Sequence, residues 1–110
     1  MKMKSKVLLH KNIGIELNEL YQRKNQDYGD SFSKSFNEFG MAMPCIRLDD
    51  KLSRLKSLTK PGSVQQVNDE SIRDTLIDLA NYAIMTIIEL DLDNFNGSKK
   101  EVPSAKNNKE

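Results

Sequence analysis

Apolar residues recur along this chain at helical spacing, and no stretch of useful length alternates as a strand would. Ile13, Leu17, Leu20 and Tyr21 fall at i, i+4, i+7 and i+8, which predicts a first helix from near Lys6 to a point before Gly29. In "DYGDSFSKSFNEFG", Phe32, Phe36 and Phe39 form the stripe of a short second helix, with Asp30 or Ser31 as its N-cap and Gly40 as its stop. Pro44 suits the first turn of a third helix, where its missing N–H is harmless. Ile46, Leu48, Leu52, Leu55 and Leu58 carry that helix to the breaker "KPGS", Lys60 to Ser63. Asn68 or Asp69 then caps a fourth helix that reaches about Leu92, with Ile72, Leu76, Leu79, Ala83, Ile87 and Leu90 as its buried stripe. The fold class expected is all-α, a small four-helix bundle on residues 1–92. Residues 93–110 are polar, with Gly97 and Pro103, and read as a flexible tail too poor in apolar groups to offset its ordering entropy.

Composition narrows the function classes. A chain of 110 residues is one domain, and a net charge of +1 gives no global field for nucleic acid, so recognition of phosphate has to be local. The single cysteine, Cys45, cannot close an intramolecular disulfide. No apolar run reaches the roughly 18 residues of a membrane span. These features predict a cytoplasmic protein that contacts neither membrane nor nucleic acid. Four helices with few aromatic residues make a modest core, so a homo-oligomer is expected.

Charge is distributed less evenly than on an ordinary solvated surface. Glu70, Asp74 and Asp78 stand at i, i+4 and i+8 on the fourth helix, a spacing that puts like charges on one face and calls for partners. Arg47, Lys51 and Arg54 stand at i, i+4 and i+7 on the third, with Asp50 between them. Two readings fit this spacing. One is an interhelical ladder of salt bridges. In the other, Asp50, Glu70 and Asp74 hold Mg²⁺ while Arg47, Lys51 and Arg54 bind phosphate oxygens, a mixture natural for a cation that bridges carboxylates to substrate phosphates. Lys24 and Asp27, one turn apart before Tyr28, add a second polar cluster in which Lys24 can reach phosphate and Tyr28 can stack on a base. Asn81 and Tyr82 make a similar pair, since an amide can read a base or sugar edge. Glu16 and Glu19 are a secondary metal candidate, His10 a solvated residue, and Met41 and Met43 core or subunit contacts.

The blocks "KNQDYGDSF", "IRLDDKLSRLKSL" and "DESIRDTLIDLANYAIM" resemble, in that order, the phage and bacterial family called nucleotide modification associated domain 1. That family in turn resembles the all-α nucleoside triphosphate pyrophosphohydrolases of the MazG and dimeric dUTPase type. The resemblance implies a Mg²⁺-dependent attack of water on a phosphoanhydride, with Asp50 in the first acidic motif and Glu70 and Asp74 in the second; in such a site Asp78 is the catalytic candidate, orienting water or metal. Ser53 stands where the first motif carries a second acid, and Glu70 and Asp74 are four residues apart where the motif has three. Fewer acids and more bases favour holding an anion. A nucleotide-binding protein that sequesters a nucleotide signal without turnover, or an oligomerisation module, are the other classes these residues allow.

Overall fold

A computed structural model describes the backbone of residues 5–62 and 65–100, and the side chains of these except 26, 27, 65–69 and 94–100. The described residues form four α-helices and no strand. Helix α1 spans Lys6–Arg23, and Ser5 caps it by accepting hydrogen bonds from the backbone N–H groups of Val7 and Leu8. A single π-helical turn, Gln26–Asp30, leads directly into α2, Ser31–Phe39. Asp30 has helical dihedrals and makes no side-chain cap, because the preceding turn already supplies the carbonyls that a cap would replace. Gly40 ends α2 at φ 66°, in the left-handed region where a side chain is strained.

Helix α3 covers Ala42–Leu58, with Pro44 buried in its first turn. Helix α4 runs from Gln65 to Lys100. It starts before the expected caps, Asn68 and Asp69, whose side chains lie outside the described residues. Its backbone also continues past Leu92 into the segment expected as tail; residues 101–110 lie outside the described ones.

Among the described residues, α3 and α4 form the most extensive packing, with α1 and α2 set against α4. Leu17 meets Asn81, and one turn later Tyr21 lies beside Met85 and Glu89, so α1 and α4 run in the same direction. The core is small and aromatic: Tyr28, Phe32, Phe36, Met43 and Met85, with Leu20, Tyr21 and Tyr82 packed on it. Phe39, expected in the second-helix stripe, is exposed.

The fourth helix is turned otherwise than its apolar stripe predicts. Thr75, Asn81, Thr86 and Glu89 are buried, whereas Leu76, Ile87 and Leu90 are exposed. The inward polar groups are satisfied, as burial requires. Thr75 and Thr86 each donate to the carbonyl one turn back, at 2.7 Å, and Asn81 donates to the Leu17 carbonyl at 3.3 Å.

Candidate functional site

Three helical segments bring Tyr28, Lys51, Asp78 and Tyr82 together. The Tyr28 hydroxyl donates to Asp78 Oδ1 at 2.7 Å, and Lys51 Nζ pairs with Asp78 Oδ2 at 3.2 Å. The same ammonium lies 5.8 Å from the centre of the Tyr82 ring, within the range of a cation–π contact. Tyr82 is wedged between Tyr28 and Phe32, each ring centre 5.9 Å away and tilted. Asp78 and Tyr82 are one turn apart on α4, so the helix presents carboxylate and ring to Lys51 as a unit. The pair is half open, with side-chain exposures of 27% for Lys51 and 34% for Asp78. Burial, followed by the hydrogen bond and charge of Asp78, holds the Tyr28 phenol well above its ordinary range, so it remains a donor.

Residues 24–90, more than half of the chain, match the family model described as nucleotide modification associated domain 1. The chain belongs to that family. No curated protein and no solved structure matches it. The domain's matched span contains all four members of the cluster, and the likeness to all-α pyrophosphohydrolases stays an expectation of the sequence.

Other residues singled out from the domain's sequence take different positions. Arg47 and Arg54 are exposed on α3, one turn either side of Lys51 by helical spacing, and among the described residues neither forms an ion pair. Lys24 is exposed at the end of α1. The Asp27 side chain lies outside the described residues. Asn81 is only 2% exposed, and its amide ties α4 to α1. Tyr28 is buried as well, so its ring serves the core. Of the acidic ridge on α4, Asp78 alone turns inward; Glu70 and Asp74 are exposed, as Asp50 is on α3.

Among the described residues, no group of three or more His, Cys, Asp or Glu side chains comes close enough to hold a metal ion. Asp78, the one acid brought to the cluster, already neutralises an ammonium and accepts a phenol. Among the described residues of one chain, Asp50, Glu70 and Asp74 are therefore not gathered into one three-acid group. Glu16 is likewise engaged: Arg73 donates to both its carboxylate oxygens, at 2.8 and 2.7 Å, and holds its pKa below the usual value.

Sequence reasoning missed Arg73, Ser33 and Glu89. Ser33 donates to the buried Glu89 carboxylate beside a cavity of about 10 Å³, room for one water. A carboxylate set in the run "TIIEL" carries the same signal as Asn81, a polar group among apolar neighbours that needs a partner.

Proposed function

We propose that this domain is a cytoplasmic, homo-oligomeric protein that binds a nucleotide or nucleotide-derived small molecule on the cationic face of α3. One observation carries the reading: Lys51 is fixed by Asp78 over the Tyr82 ring, with Arg47 and Arg54 exposed on the same helical face. An ammonium has three donors, and the contact with Asp78 leaves others for phosphate oxygens. Guanidinium groups a turn away on each side present planar forks suited to bidentate phosphate contacts. Tyr28 and Asp78 act as positioning residues, keeping the Lys51 stem over the ring. The edge of Tyr82 is the group for the sugar or base. Binding a polyphosphate this way requires no acid cluster, and Mg²⁺ accompanies the ligand through the phosphates themselves.

The test is calorimetric titration with nucleoside mono-, di- and triphosphates and cyclic dinucleotides, with and without Mg²⁺, in parallel with mass spectrometry of small molecules that co-purify. Arg54→Ala and Lys51→Ala are each expected to weaken binding about 10- to 100-fold, the loss of a charge-assisted hydrogen bond or two. Absence of binding across the panel at millimolar ligand, or affinity unchanged in Arg54→Ala, overturns the reading. Release of pyrophosphate in the same mixtures identifies a hydrolase instead of a binder.

A further inference from the structure

Glu89 is a carboxylate buried without a counter-charge among the described residues. It is 9% exposed and stands between Ile88 and Leu90 in an apolar run of α4. Ser33 donates to its Oε2, whereas Oε1 accepts no hydrogen bond from a described residue. The ion pairs that the described residues form, Lys51 with Asp78 and Arg73 with Glu16, leave Glu89 out. A buried charge in that state is costly, and the cost is offset only by a cation that also donates hydrogen bonds to it.

This carboxylate lines the cavity of about 10 Å³ whose other walls are Tyr21, Gly29, Phe32, Met85 and Ile88. Ile88 is 38% exposed, so the cavity lies close under the surface. A second polar group belongs to the same wall. The Tyr21 hydroxyl lies so near Gly29 that a Cβ there would stand 2.7 Å from it, and it makes no hydrogen bond with a described residue. Apolar and aromatic walls with two convergent polar groups left open are the ordinary makings of a small-ligand site.

We propose that this cavity binds the ammonium head of a small primary amine. Size, charge and hydrogen bonding each select it. The volume takes one water-sized group, which admits an ammonium and excludes a planar guanidinium or the edge of a nucleobase. An ammonium brings three donors: one for Glu89 Oε1, one for the Tyr21 oxygen and one for water at the mouth. The Tyr21 and Phe32 rings in the wall favour a cation over a neutral guest, and water in the same place leaves the carboxylate charge uncompensated. A hard divalent ion demands several oxygen ligands, and among the described residues no three acids gather here. Glu89 lies seven residues beyond Tyr82, about 10 Å along α4, so this site is separate from the Lys51 cluster and does not depend on nucleotide binding.

The test follows carboxylate and amide NMR resonances of the full chain during titration with methylammonium and ethylammonium. Tetramethylammonium at equal ionic strength is the control, a cation of the same charge with no N–H. Saturable shifts of the Glu89 carboxylate and the Gly29 amide are expected with the primary amines and not with the control. Glu89→Gln keeps the shape of the side chain and removes its charge, so methylammonium should bind about 10-fold more weakly or worse. Tyr21→Phe removes one neutral hydrogen bond and should weaken it about 3- to 10-fold. The comparison of amine with control uses the wild type alone and relies on neither variant's folding. No saturable shift with either primary amine, as for a cavity that holds water only, overturns the proposal; so does an equal response to tetramethylammonium, or affinity unchanged in Glu89→Gln.

Discussion

Tyr28→Phe and Asp78→Asn, separately and together, measure whether the cluster around Lys51 acts as one unit. The first removes a 2.7 Å hydrogen bond from a buried hydroxyl to a carboxylate. A bond to a charged acceptor contributes about 1.5–3 kcal/mol, and with Asp78 a third exposed the lower end applies, so about 1.5 kcal/mol is expected. Asp78→Asn keeps an acceptor for Tyr28 but leaves the Lys51 ammonium, 27% exposed, without its counter-charge. Breaking a buried pair costs ~3–5 kcal/mol and an exposed pair ~0–1, so a half-open pair falls at about 1–3 kcal/mol. Because Asp78→Asn turns the shared bond into a weaker neutral one, the double variant should lose about 0.5–1 kcal/mol less than the two single losses combined. Urea unfolding followed by far-ultraviolet circular dichroism, at one fixed protein concentration, gives all the terms. Losses that add to within about 0.3 kcal/mol refute the cluster as a unit.

Three further outcomes are expected. The Glu16 carboxyl is held below its usual pKa by Arg73, so its share of stability is present above the ordinary carboxylate value and is lost as pH falls through the folded one; thermal melts of Arg73→Ala across the acid range should show a shallower decline than wild type. The Tyr28 phenol is raised, so its contribution is complete below the ordinary tyrosine pKa of about 10 and is lost as pH rises toward the folded value. Ultraviolet difference titration of wild type against Tyr28→Phe should accordingly show one phenolate appearing late, and an ordinary titration of that group refutes its burial with Asp78. A Cβ on Gly29 would meet only the outer ends of the Tyr21 and Asn25 side chains, which can swing aside, so Gly29→Ala is expected to cost less than about 1 kcal/mol, and a larger fall in the urea midpoint refutes that freedom.

The helices were legible in the sequence because a 3.6-residue period and local stops such as Gly40 are chain-local signals. The orientation of α4 was not. Ile72, Leu76, Leu79, Ala83, Ile87 and Leu90 are periodic as a core stripe must be, but a period reports that a face is shielded from water, without saying whether the same chain shields it. In one chain the inward side of α4 instead carries Asp78, Asn81, Thr86 and Glu89, each with a partner that only the tertiary fold supplies. The site was legible in part for a related reason. Lys51 and Asp78 were both singled out by spacing, and they meet. Glu70 and Asp74 share the spacing of Asp78 yet stay exposed, because successive i+4 steps drift around a helix of 3.6 residues per turn and the interhelical contact is narrow. Asn81 was recognised as a polar group in need of a partner, and the partner is a carbonyl of α1.

The two unlike sides of α4 also show which of its side chains hold the Lys51 cluster. Asp78 and Tyr82 lie roughly opposite Leu76 and Ile87 around the helix, since the inward and outward sets are separated by about half a turn. The exposed stripe therefore contributes nothing to the Lys51 cluster, and Arg47 and Arg54 stay at the surface of α3. On the inward side, α3 and the π-helical turn fix α4 through Lys51 and Tyr28. The half-open ion pair is then held by groups that are themselves anchored, which is the condition for a lysine to meet a phosphate without a large loss of side-chain entropy.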